Sequence, residues 1–407
     1  MALVVTKFGG HSLATTRHVK NVASYLAERA EKDKLVVVVS AMGSQTDELG
    51  ALARKVVAKP GGRELDMLLT AGERITMSLL AMALGEKGQK ARSFTGSQVG
   101  IHTDESYNDA RILFVRGKRL RETLDAGEIP IVAGFQGVSA EGKEVTTLGR
   151  GGSDTTAVAL ARFLAADSCE LYKTVKGFCA ADPEVYPDVK KLDEITYSEI
   201  VELADYGARV LHPRAATLAM RYDIPLEVRS SNAPREPGLK VSQMETLEER
   251  FVRAVTQLKG LVRFTVKDVP KNPQVMTQAI SRIADAGIRI FFYSHGHPQA
   301  AEFDLAYVVS RDDAETTGKI LEDFRKETGA AGLSLMKGIS AVSLVGPGAG
   351  RDYTITKRAF QALRDEDVHI EAFTTSELKL TFFLRARSLK RAIERLLDEF
   401  NLMERLK

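Results

Sequence analysis

Leu3-Val4-Val5-Thr6-Lys7-Phe8-Gly9-Gly10-His11-Ser12 is a short apolar run that stops in a glycine pair. Leu3 to Thr6 reads as a strand, and Gly9-Gly10 as a tight loop with no Cβ atoms. Val19, Val22, Ala23 and Leu26 then recur at three- and four-residue spacing, as one face of a helix does. Leu35 to Val39 is a continuous apolar stretch of strand length, expected where a sheet is covered on both faces. The alternation continues through a helix from about Ala71 to Leu84 and a strand from Pro130 to Phe135. A helix opened by Gly149 to Asp154 then runs through Leu164, and a strand covers Glu170 to Val175. Strands alternating with helices predict an α/β fold with a mainly parallel sheet covered by helices.

The chain has 407 residues, enough for two or three domains, with 44% hydrophobic and 27% charged residues. That composition excludes a disordered tail, a collagen-like fibre and a disulfide-stapled mini-domain. Near Arg229 to Gly238 the alternation breaks into turn chemistry, and beyond it the chain looks duplicated. Gly287-Ile288-Arg289-Ile290-Phe291 resembles Asp367-Val368-His369-Ile370-Glu371, and Leu321-Glu322-Asp323-Phe324 resembles Leu397-Asp398-Glu399-Phe400. Leu305 to Val309 and Leu378 to Leu384 alternate like strands, so each copy reads as strand, helix, two strands, helix. The expected division is 1–245, 255–330 and 335–407, the last two being small α+β modules.

A net charge of +3, from 57 Lys+Arg and 54 Asp+Glu, argues against a nucleic-acid or polybasic membrane binder. Cys169 and Cys179 are too few for a disulfide framework and read as thiols of a reducing compartment. Without an apolar run of membrane-helix length or a signal peptide, the chain is expected to be cytoplasmic. His295-Gly296-His297 lacks a surrounding ligand pattern and reads as a polar loop, so no protein-held metal is expected.

The glycine loops carry the chemistry. Gly9-Gly10 falls at the carboxyl edge of a parallel sheet, where α/β proteins bind ligands, with Lys7 beside it. Gly149-Arg150-Gly151-Gly152-Ser153-Asp154 is a second loop opening a helix, whose backbone N–H groups suit anions. Two other motifs fail. Gly137 to Lys143 has the spacing of a phosphate-binding loop, but Glu144 stands where a magnesium-binding hydroxyl belongs, so it reads as a hairpin. Asp154 takes the place of the third glycine of a dinucleotide fingerprint.

Taken together, the motifs resemble those of the aspartokinases, within the amino-acid-kinase superfamily. The resemblance rests on Lys7 to Ser12, Val39-Ser40-Ala41-Met42-Gly43, Gly72-Glu73, Phe94 to Gly100 and Gly134-Phe135-Gln136-Gly137. Thr147 to Thr156 and Val210-Leu211-His212-Pro213-Arg214-Ala215 complete it, in family order along the chain. The duplicated tail is similar to the family's two ACT regulatory modules. The resemblance implies an amino-acid-kinase fold and ATP-dependent phosphorylation of the side-chain carboxylate of L-aspartate, the first step toward lysine, threonine and methionine. It also implies Mg²⁺ accompanying ATP, a homodimer or higher assembly through the ACT modules, and an amino-acid effector such as lysine or threonine.

An aspartate carboxylate is ionised at neutral pH and needs no general base; the difficulty is bringing an anion to a polyanion. Lys7 is expected to stabilise the transferring phosphoryl group, and Asp154 to orient the phosphate, Mg²⁺ and lysine assembly. Lys7, Phe8, Gly9, Gly10 and Ser40 are expected around the phosphates, and Lys173, Thr174, Cys179 and Asp182 along the nucleotide segment. For the amino acid, Arg150 suits a carboxylate through its fork and Glu73 suits the α-amino group, with Thr46 and Ser153 nearby. Arg289, Phe291, Ile370 and Glu371 are expected at the effector positions. Each site residue has a plainer rival reading: Glu73 could favour a helix dipole, Asp154 could cap its helix, and Lys7 could guard a strand edge.

The sequence departs from the family pattern in two places. Lys173-Thr174 replaces the usual Thr-Asp, and Lys176, Cys179 and Glu184 replace an acidic or small residue, Tyr and Arg. In the first module Lys271-Asn272-Pro273-Gln274 replaces Asp-Lys-Pro-Gly, and Phe291 stands where an acidic residue often meets the effector. Two alternatives therefore stand beside an aspartate kinase: a kinase for another acidic amino acid, and a catalytically weak amino-acid-sensing subunit on the same fold.

Overall fold

The computed structural model describes residues 1–174, 178–208, 211–243, 251–270, 273–296 and 302–404. Two compact units emerge, one of residues 1–179 and 191–247, the other of residues 180–190 and 248–407.

The first unit is built on an eight-stranded sheet. Its strands are β1 (Leu3–Phe8), β2 (Lys34–Val39), β3 (Ala91–Phe94), β4 (Ile129–Ala133), β5 (Ser168–Lys173), β6 (Glu194–Thr196), β7 (Leu226–Ser230) and β8 (Leu239–Ser242). Their order is β6-β8-β7-β5-β1-β2-β4-β3, parallel except for the β7–β8 pair. The central strands are buried along nearly their whole length, because helices cover both faces. β1 runs to Phe8 rather than stopping at Thr6, since no turn residue intervenes before Gly9 and the ladder to β2 continues. β5 ends at Lys173, and Val175, where the apolar pattern places the end of the strand, lies outside the described residues.

Helices α1 (Thr16–Ala30), α2 (Gln45–Val56), α3 (Gly62–Leu69), α4 (Ala71–Gly85), α5 (Gly152–Leu164) and α6 (Pro213–Tyr222) position the site described below. α3 and α4 run end to end from Gly62 to Gly85, a stretch long and apolar enough, by length and composition, to cross a membrane. Its apolar character serves the core instead: Met77, Leu80 and Leu84 pack with Val19, Val22 and Leu26 of α1 and with β2. The segment 136–147 is the expected hairpin, its arms Gln136–Ser139 and Val145–Thr147 pairing antiparallel.

In the second unit, one six-stranded sheet spans both sequence copies. The first copy is β9 (Ala254–Pro270), α7 (Pro273–Asp285), β10 (Phe292–His295), β11 (Glu302–Ser310) and α8 (Ala314–Thr328). The second is β12 (Gly332–Val345), α9 (Tyr353–Asp365), β13 (Ile370–Thr375), β14 (Lys379–Arg385) and α10 (Leu389–Glu399). The expected strand, helix, two strands, helix order is present twice. The sheet order β10-β11-β9-β12-β14-β13 joins the copies through the long antiparallel β9–β12 pair. Residues 180–190 belong to this unit: the Val255 amide donates to the Ala180 carbonyl at 2.6 Å, and the Lys190 amide to the Leu402 carbonyl at 2.9 Å.

Candidate active site

The carboxyl ends of β1, β2 and β5 lie side by side, and Lys7, Ser40 and Lys173 stand at them. β1 and β5 pair with Lys7 opposite Leu171 and Phe8 opposite Tyr172, so Lys7 and Lys173 point to the same face of the sheet. Phe8 and Tyr172 point to the other face, where their rings stack at 4.4 Å. Behind them the Tyr172 hydroxyl donates to Glu170 at 2.6 Å, and Arg29 of α1 bonds both oxygens of the same carboxylate at 3.2 Å. This network holds the register that sets the two lysines together. It also makes Phe8, expected beside the phosphates, a core residue by its side chain.

Asp154, in the first turn of α5, meets both lysines. Its Oδ1 lies 2.7 Å from Lys7 Nζ and its Oδ2 lies 2.7 Å from Lys173 Nζ. Burial alone would raise the Asp154 carboxyl, but the Lys173 and Lys7 ammonium groups overcome it and hold it well below the usual carboxylate range. Burial pushes Lys7 down to about 8, against the pull of Asp154 and with help from Lys173. One carboxylate shared by two ammonium groups leaves a net positive charge at the sheet edge. Such a site attracts an anion.

The glycine loops bring backbone close to this cluster. The Gly43 amide donates to the Gly10 carbonyl at 2.9 Å, and the Ser40 amide to the Phe8 carbonyl at 3.2 Å. A Cβ on Gly10 would lie 2.8 Å from the carbonyl oxygens of Ala41 and Gly43, so only glycine lets the two loops knit. Gly149 and Gly151 both have φ of +70°, and the His212 ring packs where a Gly151 Cβ would stand. Between them Arg150 is exposed, with no ion-pair partner among the described residues. His212 caps α6 by accepting from the Arg214 amide at 3.4 Å.

Glu73, near the start of α4, is 2% exposed. Its Oε1 accepts from the Ala41 amide at 3.0 Å, while its Oε2 is buried without a hydrogen-bond partner. Burial raises its carboxyl to about 7, opposed by the Ala41 hydrogen bond and by the nearby Lys7 charge. An unpartnered buried carboxylate oxygen calls for a donor; an ammonium group is the natural one. Ser153 packs in the first turn of α5 against Gly134, and Thr46 sits half-buried in the first turn of α2.

The segment expected to hold the nucleotide divides. Lys173 joins the buried cluster, whereas Thr174 is exposed and its carbonyl accepts from Asn232 at 3.0 Å. Cys179 lies in a two-residue strand pairing with Lys191–Leu192, and Asp182 falls in the 180–190 segment of the second unit. Lys176 and Gly177 lie outside the described residues, as do Val210, Lys271, Asn272 and His297.

Two positioning groups escaped the sequence reading. Asp66 of α3 is fully buried and accepts from the Thr147 amide at 2.8 Å and the Thr147 hydroxyl at 2.6 Å, anchoring the chain just before the Gly149 loop. A lone acid within Leu65-Asp66-Met67-Leu68-Leu69 was the available signal. Arg214 donates to the Leu148 carbonyl at 2.6 Å, the Ala110 carbonyl at 2.8 Å and Asp109 at 2.8 Å, clamping the same loop from α6.

Of the effector positions in the second unit, Phe291 stands just before β10, half-buried against Leu261, Val308 and Ile339, with the Arg289 guanidinium 4.9 Å from its ring centre. Ile370 opens β13. Glu371 beside it is ion-paired to Arg385 at 2.6 Å and to Arg263 at 3.9 Å.

Residues 2–230 match the amino acid kinase family, and residues 342–400 match the ACT domain. The chain is 40% identical over 404 residues to an aspartokinase of Bacillus sp. (strain MGA3), covering 99% of this chain and 98% of that one. It is 39% identical over 406 residues to an aspartokinase of Geobacillus stearothermophilus, with 99% and 98% covered. Its fold matches that of E. coli aspartokinase III in complex with aspartate and ADP, with a TM-score of 0.83 at 23% identity over 98% of this chain and all of the other.

Proposed function

The chain belongs to the aspartokinases, and from that premise we propose how its own residues divide the transfer of the ATP γ-phosphoryl group to the side-chain carboxylate of aspartate. The observation that carries this division is the Lys7–Asp154–Lys173 cluster at the strand ends, beside the unpartnered Glu73 Oε2. An oxygen of the aspartate carboxylate forms the new bond to the γ-phosphorus. The bond to the β,γ-bridging oxygen breaks, its electron pair leaves on ADP, and no proton moves. Lys7 stabilises the charge on the transferring group, and Asp154 holds the lysine in place. Gly9, Gly10 and Ser40 receive phosphate oxygens on backbone N–H groups and a hydroxyl. The nucleotide enters as its magnesium complex, the ion belonging to the substrate.

Glu73 Oε2 takes the α-ammonium group of aspartate and the exposed Arg150 fork takes a carboxylate, with Thr46 and Ser153 at the margins. Thr174 and Cys179 flank the nucleotide. The second unit is the regulatory part: it binds an amino-acid effector such as lysine or threonine and joins subunits into a homodimer in the cytoplasm. Phe291 offers no acceptor for an effector ammonium group, and Glu371 is already engaged by Arg385. Lysine or threonine therefore inhibits weakly.

The test is acyl-phosphate trapping with hydroxylamine over aspartate, glutamate and N-acetylglutamate, with and without lysine and threonine. Hydroxamate forms from aspartate. Equal yield from N-acetylglutamate, which has no α-ammonium group, would overturn the role given to Glu73, and equal yield from glutamate would favour a kinase acting on acidic amino acids at large.

A further inference from the structure

We propose that Lys173 is a second catalytic lysine of this enzyme, facing the triphosphate together with Lys7, with Asp154 as the strut between them. It rests on the reading that Lys7 and Asp154 serve the transfer.

The two lysines come from adjacent parallel strands in a register locked from behind by the Phe8–Tyr172 stack. They emerge on one face, and each takes a separate oxygen of Asp154 at 2.7 Å. Asp154 balances one of them, and Glu73, the other acid facing Lys7, is taken up by the substrate ammonium group in the reading above. A buried pair of like charges is costly unless something of opposite charge completes it, and the reaction supplies a polyanion. Lys173 is also the better placed member to meet a ligand from solvent. Its side chain is 18% exposed, against 6% for Lys7 and 4% for Asp154. Lys173 thus belongs with the phosphates rather than with the base.

The groups facing Lys7 are Asp154 from α5, Lys173 from β5 and Glu73 from α4. His212, at the start of α6, also feels Asp154 and Lys173. Removing the Lys173 charge takes away a repulsion on Lys7 and leaves it sole possession of Asp154. Lys7 then holds its proton to higher pH.

The experiment compares Lys173→Met, Lys173→Thr and Lys173→Arg with Lys7→Ala, in steady-state turnover with ATP and with GTP. Lys173→Met and Lys173→Thr are expected to lower kcat about 100-fold or more with both nucleotides alike, the scale of losing one electrostatic stabiliser. The KM for aspartate stays within about twofold, because the ammonium and carboxylate contacts are untouched. Lys173→Arg recovers most of the turnover. The alkaline limb of kcat/KM moves to higher pH in Lys173→Met. Turnover within about threefold of the parent, or a change confined to the ATP-to-GTP ratio, overturns the proposal. If Lys7→Ala also keeps its turnover, the underlying reading has failed; if Lys7→Ala is crippled and Lys173→Met is not, only this one has.

Discussion

Replacing Glu73 by Gln should make the kinase unit more stable while spoiling its grip on aspartate. Glu73 is 2% exposed, and burial moves its carboxyl from 4.5 to about 7. An acid whose pKa rises on folding holds its proton more tightly in the folded chain than in the unfolded one. The folded state therefore loses stability as pH rises from 4.5 through about 7, and the loss is complete above that. At about 1.4 kcal/mol per pKa unit the full cost is about 3 kcal/mol. Gln keeps the oxygen that accepts from the Ala41 amide and carries no charge, so it escapes this cost. The variant should gain little at pH 5 and about 3 kcal/mol more at pH 8. For a unit of this size that difference corresponds to about 6–12 °C in Tm. Calorimetric melts of both proteins at the two pH values measure it, and steady-state kinetics follow the function. The KM for aspartate should rise at least about 30-fold while that for ATP stays within about twofold, since the variant swaps an ammonium acceptor for an NH₂. A stability gain equal at both pH values would refute the buried charge. A rise in the KM for ATP with aspartate untouched would refute the assignment to the ammonium group.

Lys7→Ala and Asp154→Ala should each lower kcat at least about a hundredfold with the fold retained by circular dichroism, because each acts on charge that develops during transfer. Arg150→Lys should raise the KM for aspartate and leave that for ATP alone, since an ammonium group cannot reproduce a planar fork; a titration with both substrates decides it. The profile of kcat/KM for aspartate should rise through about pH 7 as Glu73 ionises and fall above about 8 as Lys7 loses its proton. A flat profile between pH 6 and 9 would contradict both assignments.

What the sequence determined on its own is what short-range chemistry controls. Apolar runs of strand length and three- and four-residue spacings announced β1, α1 and β2, because burial on a sheet or a helix face imposes a period. The glycine loops were legible because a positive φ at Gly149 and Gly151, and the close approach at Gly10, leave no room for another residue. The duplicated strand, helix, two strands, helix order could be read for the same reason. Lys7, Arg150 and Asp154 lie in or beside those loops, but it is the resemblance to the aspartokinases, through the shared order of the motifs, that singles out these three and Glu73.

Tertiary structure alone decided who meets whom. The β1–β5 register sets Lys173 on the same face as Lys7, and the packing of α5 brings Asp154, nineteen residues from Lys173 in sequence, to both. Asp66 reaches Thr147 across 81 residues, and Arg214 reaches Leu148 across 66. Residues 180–190 pack in the regulatory unit although kinase-unit strands flank them. The two ACT-like copies share one sheet because β9 and β12 pair along their length. Each of these depends on strand register and on contacts between distant segments, which local periodicity does not encode. The same holds for the charge at the site: one carboxylate between two lysines exists only once the strands are aligned.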